Sequence, residues 1–508
     1  MSGIKKLAGQ TIWYGVSSIA ARFINYLLTP YLILKLGKVW YGEQSLIYSY
    51  IPFMNVIFTY GMETAFFRFT QIRDKKAVFN TSSISLLFSS LMLCMLLIGF
   101  HVPLARLLMV EQHPEYILLA SAIIFFDALS TIPFAKLRLD GKPRKFAFIK
   151  VFGILLNMGS LYFLLSICPG IAQKDPKGLI AFLYNKDWLV GYVFVANLVQ
   201  SIITLLLLSK EFFGFRFKFD KIIWRQLVLY GLPIMIAGFA GMINETFDRI
   251  MLGWWAPVHS ETAAKAEVGI YSACYKLSLL ISLSVQAFRM GAEPFFFKQS
   301  TSENAPRTYA RVMKFFVITV CLMFLFVMLY LDIWKYFITD HTMWVGLKVV
   351  PVLLLANMFL GIYYNLSIWY KLGNKTIAGA YITIIGAVVT LLINYLFIPR
   401  YSYVACAWAT FFCYGIMMVV SYVWGQKNYK IPYATGKLGA YIIIAICCYV
   451  LQYYIKSHFP SVWVGYTTGT LMLLLYFLFI LNIEKKEFLQ LPVMGRLLKK
   501  QSLKTGED

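Results

Sequence analysis

The sequence predicts an all-α integral membrane protein of about 14 transmembrane helices, built as two parallel six-helix lobes plus two C-terminal helices. Three observations predict it. The 508 residues are 60% hydrophobic and only 14% charged, with a mean hydropathy of +0.68. Apolar runs of roughly 20 residues, the length that crosses hydrocarbon, follow one another with gaps too short to fold alone. An octapeptide also recurs: Gly61-Met62-Glu63-Thr64-Ala65-Phe66-Phe67-Arg68 is answered by Gly291-Ala292-Glu293-Pro294-Phe295-Phe296-Phe297-Lys298.

Other landmarks repeat at similar offsets, as an internal duplication requires. Tyr14-Gly15 answers Tyr230-Gly231, Gly42 and Ser45 answer Gly269 and Ser272, and Arg138-Leu139, Lys142 and Gly153 answer Lys371-Leu372, Lys375 and Gly386.

Taken in order, runs bounded by charge, Gly or Pro place the first six helices at about 9–35, 41–67, 80–103, 116–137, 146–168 and 188–209. The second six fall at about 226–254, 267–296, 312–333, 344–370, 376–397 and 401–425, and two more at about 437–456 and 462–482. The expected organisation is a first lobe at 1–209, a cytoplasmic linker at 210–225, a second lobe at 226–425, and two additional helices with a cytoplasmic tail at 426–508. The stretch from Lys210 to Lys221 alternates aromatics and charges, which suits either an amphipathic segment on the membrane surface or a longer loop.

The net charge of +24 has a membrane explanation. With both termini cytoplasmic, 32 of the 47 lysines and arginines fall on the cytoplasmic side and 11 on the other, the bias expected of inner-membrane proteins. No module that reads bases accompanies the basic loops, so nucleic acid is not an expected partner. The eight cysteines mostly sit inside apolar runs without paired spacing, and the five histidines are scattered, so neither a metal site, a cofactor nor a catalytic constellation is expected. The protein does not read as an enzyme.

Polar residues inside the spans carry the functional expectation. In the first helix Thr11, Gly15, Ser18, Arg22, Asn25 and Thr29 share one face. Arg22 either meets a ligand in a cavity or forms an ion pair with Asp127 of the fourth helix. In the seventh helix Glu245 and Asp248 share a face, and Arg249 lies four residues after Glu245, where the two can pair. In the eighth, Arg289 and Glu293 belong to one polar stripe while Lys276 projects nearly opposite, so one of Lys276 and Arg289, not both, serves an inter-lobe space. Ser18, Arg22, Asn25, Arg249, Lys276 and Arg289 are the cavity candidates, with Asp127, Glu245, Asp248 and Glu293 as charge partners. Glu63 and Glu293 near helix ends are expected to pair with local cations.

A doubled six-helix unit, two extra helices, an arginine-bearing first helix, the Trp40-Tyr41-Gly42 pattern and the Gly61-Met62-Glu63 turn into a basic loop together resemble the polysaccharide (O-antigen) flippase family of the multidrug/oligosaccharidyl-lipid/polysaccharide exporter superfamily. The resemblance spans essentially the whole chain. It implies a bacterial inner-membrane carrier that moves an undecaprenyl-pyrophosphate-linked oligosaccharide to the outer leaflet by alternating access, without hydrolysing ATP. Its implied partners are the anionic lipid-linked oligosaccharide, membrane lipids and other polysaccharide assembly proteins, and Arg22 is the residue it points to for the anion. The rival readings are a lipid II flippase, a cation-coupled multidrug exporter, and a membrane glycosyltransferase or polymerase.

Overall fold

The structure, a computed structural model, describes residues 19–488 except 21, 301 and 374. The described residues are almost entirely helical and contain no strand, and 12 helices are long and apolar enough to cross a membrane. Thr11, Gly15, Ser18 and the Tyr14-Gly15 landmark lie outside the described residues.

The chain packs as two compact units. One comprises 1–297 with 337–424, and the other 298–336 with 425–508. In the first unit, α1 (22–36) ends at Gly37, whose φ of +64° breaks the helix without a Cβ penalty before α2 (38–59). The sequence runs the second helix on to about residue 67. The structure instead turns it at Tyr60 and Gly61, both left-handed, and restarts as α3 (Met62–Phe69). The reason is steric. Gly61 lies against Gly231, and a Cβ on Gly61 would sit 2.5 Å from the Gly231 carbonyl oxygen.

Next come α4 (Lys75–Gly99), capped by the Asp74 carboxylate on the Ala77 amide, α5 (Glu115–Leu139), α6 (Pro143–Tyr162) with Pro at its first turn, and α7 (Leu189–Leu207). Met62, Phe66, Val78, Phe79, Leu86, Ile132 and Leu227 pack the first octapeptide into a buried cluster. The segment after α7 is not a surface helix. A short 3-10 turn at Ser209–Phe212 leads into extended chain strapped onto α4, with Phe212 and Phe215 on that cluster and the Arg216 and Asp220 amides donating to Asn80 and Thr81. The Lys142 and Lys145 amines hold the buried Glu211 carboxylate at 3.4 and 2.6 Å. Burial alone would raise this carboxyl, but Lys145 and Lys142 more than offset that and hold it below its usual 4.5.

Asp220 caps α8 (Lys221–Trp255), and α9 (Glu261–Gln299) follows. One pair of landmarks that the sequence relates by duplication meets in space. Gly42 of α2 and Gly269 of α9 lie backbone to backbone where the helices cross, with no room for a Cβ on either. The Glu43–Lys265 ion pair, 2.7 Å and buried, flanks that crossing. The octapeptide glutamates also take equivalent partners: Glu63 pairs with Arg138, and Glu293 pairs with Lys371 at 2.6 Å. The unit is completed by α11 (Val350–Leu366), α12 (Thr376–Tyr401) and α13 (Tyr403–Asn428), the last running past the unit boundary.

The second unit contains α10 (Ala305–Leu329), which packs against both α14 (Thr435–His458) and α15 (Val462–Ile483). Lys314 of α10 bonds Glu484 at 2.6 Å, and the Tyr441 hydroxyl donates to the same carboxylate. Lys456 and Lys335 pair with Asp332.

Candidate functional site

Two polar cavities lie in series along α1. The first, about 730 Å³, is lined by Arg22, Asn25, Asn55, Thr59, Glu63, Asp127, Ser130, Thr131, Arg138, Lys150, Gln200 and Thr204, with apolar wall from Phe134, Phe146 and Met235. The second, about 410 Å³, is lined by Asn25, Thr29, Tyr41, Gln44, Ser45, Tyr48, Asn157, Asn197, Gln200, Glu245, Arg249, Ser272, Tyr275 and Lys276. Asn25 and Gln200 line both.

Helix geometry explains how α1 serves both spaces. Arg22, Asn25 and Thr29 are spaced by three and four, so they descend one face at 1.5 Å per residue. Opposite them, Asn197, Gln200, Ser201 and Thr204 form a second stripe on α7 at the same spacing. No charge marks this stripe in the sequence, and its three- and four-residue spacing is its only signal there.

Arg22 is exposed to the first cavity, and its guanidinium donates to the Gln286 side-chain oxygen of α9. Asp127 is not its ion-pair partner. The carboxylate accepts from the Ser201 hydroxyl at 2.8 Å, and no Arg22–Asp127 ion pair exists among the described residues. Asp127 is drawn instead to the uncharged polar stripe of α7. Lys150 is a further cation on this wall, with its amine 4.3 Å from the Phe134 ring centroid. It lies within the span expected at about 146–168, and no role was expected of it. Pro143 at the first turn of α6 is the signal that places it two turns inside a helix.

Glu245 does not pair with Arg249 through its carboxylate. The Arg249 guanidinium bonds Asp248 at 3.1 Å and the Glu245 backbone oxygen at 3.2 Å. The buried Asp248 is fixed by the Tyr271 hydroxyl of α9 at 2.5 Å, a tertiary contact that overrides the i,i+4 option. Arg249 also stacks 5.5 Å from the Tyr271 and 4.4 Å from the Tyr275 ring centroids.

Arg249, Lys276 and Glu245 line the second cavity, and Arg289 lines neither. Arg289 bonds Glu293 at 3.0 Å and lies over Tyr364. Of the two basic residues weighed against each other on α9, Lys276 is therefore the one beside a cavity.

These features define a multi-pass helical membrane protein with cation-bearing polar cavities between its helices. Solved structures share the fold. The chain superposes on "Lipid II flippase MurJ, inward closed conformation" with a TM-score of 0.68 at 14% identity, over 93% of this chain and 99% of that one. It matches an inward-facing multidrug resistance MATE family transporter of the MOP superfamily with a TM-score of 0.58 at 16% identity, over 82% and 94%. A MOP superfamily transporter from Pyrococcus furiosus matches with a TM-score of 0.57 at 16% identity, over 82% and 95%.

The family model described as "Polysaccharide biosynthesis protein" matches residues 178–300. Among curated proteins, "Lsg locus putative protein 1" of Haemophilus influenzae is 21% identical over 58% of this chain, and the chain spans 66% of that relative's length. The resemblance drawn from the sequence is borne out by this family model and this fold.

Proposed function

We propose that the protein is a non-enzymatic carrier that moves an undecaprenyl-pyrophosphate-linked oligosaccharide across the bacterial inner membrane for surface polysaccharide synthesis. The observation that carries this reading is Arg22, a cation held by an amide rather than a carboxylate and open to a cavity of about 730 Å³. A pyrophosphate cannot cross bare hydrocarbon, so its path needs fixed donors and cations. Arginine offers phosphate a two-pronged set of hydrogen bonds. Lys150 adds a second cation to the same wall, where Arg138 is paired with Glu63. A membrane potential negative inside favours outward movement of an anion by about 2.3 kcal/mol per charge per 100 mV, so the step does not require ATP.

The match to the polysaccharide biosynthesis model and the relative from the Lsg locus support a surface glycan as cargo. The full-length likeness to a lipid II flippase supports the second reading, a peptidoglycan precursor. Loss of the gene separates them. Lipid-linked oligosaccharide should accumulate on the cytoplasmic side while surface polysaccharide falls. Accumulation of lipid II instead selects the second reading, and absence of any lipid-linked precursor places the protein in synthesis and defeats both.

A further inference from the structure

The extended strap between α7 and α8 lines neither cavity, yet it is held firmly. Phe212 and Phe215 turn inward onto Phe79, with ring centroids 6.1 and 6.4 Å away, and the Arg216 and Asp220 amides are fixed on Asn80 and Thr81. Other apolar side chains turn outward. Phe213, Phe217 and Ile222 are 94, 66 and 69% exposed, a row of large apolar groups that marks a contact surface.

The helix beneath the strap fixes what that surface meets. The Phe217 ring centroid lies 6.0 Å from that of Phe88 on α4, and Phe88, Leu91, Met92 and Met95 recur at helical spacing and are all exposed. An exposed apolar face on a helix long enough to span the membrane is turned to hydrocarbon. Phe217 therefore sits where the strap meets lipid. The charge beside it has one sign. Arg216, Lys218, Lys221 and Arg225 are exposed and make no ion pair among the described residues. The two acids of the segment are already engaged, Glu211 by Lys142 and Lys145, and Asp220 by the Ile222 and Ile223 amides.

We propose that the strap is a binding site for an anionic phospholipid of the adjoining leaflet, the cytoplasmic one in the expected topology. The lipid phosphate takes Arg216 and Lys218, with Lys221 and Arg225 at the rim, and one acyl chain runs from Phe217 along the Phe88–Met95 face. The arginine can grip phosphate oxygens with two parallel hydrogen bonds. A zwitterionic lipid brings its own ammonium to a surface that is already cationic, so it binds less tightly. A soluble acidic partner would have to cover Phe217 at the edge of the hydrocarbon, where lipid chains are the ready occupant. Each interfacial cation is worth about fivefold in affinity for an anionic surface, so two without counter-ions support a preference of about tenfold or more. The inference concerns the lipid around the protein and not its cargo, so it stands or falls independently of the carrier reading.

The test is native mass spectrometry of purified full-length protein in detergent, titrated with dioleoylphosphatidylglycerol or dioleoylphosphatidylethanolamine. The first phosphatidylglycerol should bind about tenfold or more tightly than the ethanolamine lipid of matched chains. Arg216→Gln/Lys218→Gln should remove that preference without lowering the melting temperature, because neither side chain is bonded among the described residues. Lys427→Gln/Lys430→Gln, which removes two exposed cations at the end of α13, should keep it. Phe217→Ser should weaken both lipids alike. Glycerol 3-phosphate, a headgroup phosphate without chains, should not displace the lipid at equal concentration.

The inference is overturned if the two lipids bind equally, if the strap variant keeps the preference, or if the Lys427/Lys430 variant loses it as fully. It also fails if Phe217→Ser leaves both affinities unchanged, or if glycerol 3-phosphate displaces the lipid, for then the site takes free phosphate. Displacement of phosphatidylglycerol by undecaprenyl phosphate at equal concentration would overturn it too, since the strap would then hold a polyprenyl chain.

Discussion

Arg22 rests on an amide oxygen, and that choice of partner sets what its removal should do. Arg22→Ala removes a cation without stranding a buried carboxylate, so the protein should still accumulate in the membrane while export falls. Losing charge-assisted bonds worth about 1.5–3 kcal/mol corresponds to roughly a ten- to hundredfold loss of transport, read as surface polysaccharide per carrier. Arg22→Lys should retain part of it. Asp127→Ala should not rescue Arg22→Ala, because Asp127 is engaged with Ser201; recovery in the double variant would return Arg22 to a structural role. Glu211 allows a pH prediction outside the membrane. Its folded pKa is depressed, so its stabilising contribution is complete above about 4.5 and lost as pH falls from there through the folded value. The melting temperature of purified wild-type protein should drop on acidification below 4.5 more than that of Glu211→Gln, and parallel curves would refute the assignment. Arg22 was legible because charge on a periodic polar face is conspicuous. The partner of Arg249 was not, since a tyrosine from another helix decides it and no spacing rule within one helix contains that information.

Helix crossings explain which glycines the fold needs. A Cβ on Gly42 would run into the Lys265 carbonyl, which is backbone and cannot swing aside. Gly42→Ala and Gly269→Ala should each lower stability by about 1–3 kcal/mol or more, the usual cost of overpacking. Gly159, inside α6 with open space where a Cβ would stand, is the control: Gly159→Ala should be neutral or stabilising by up to about 1 kcal/mol. Thermal melts of the purified variants measure all three, and equal shifts would refute the crossing argument. The repeat was legible at this scale because it preserved the residues that touch: Gly42 with Gly269, and each octapeptide glutamate with its cation. The turn at Tyr60–Gly61 was legible only in the Gly61-Met62-Glu63 pattern, while hydropathy ran the helix on to about residue 67, and the opposing Gly231 backbone shows why the chain breaks there.

The whole molecule divides differently from its hydropathy. Composition gives twelve helices followed by two, whereas packing places α10 with α14 and α15, through contacts between residues more than a hundred positions apart that no local pattern encodes. Topology follows from the charge bias: single cysteines at Lys75 and Lys142 should resist an impermeant thiol reagent in intact cells, and cysteines at Glu111 and Glu261 should react. The reverse pattern would invert the orientation. Removing everything after residue 428 should leave little protein in the membrane, because α10 loses both neighbours and Lys314 loses its carboxylate; normal accumulation of the shortened chain would contradict this. The pairing of α10 with α14 and α15 also has a consequence in time. Synthesis runs at about 5–20 residues per second, so α10 leaves the ribosome roughly ten seconds or more before the last of its partners exists. During that interval its packing surface faces lipid and its lysine waits without a counter-ion, which makes a stalled or interrupted chain at this stage a ready target for the proteases that clear orphaned membrane segments.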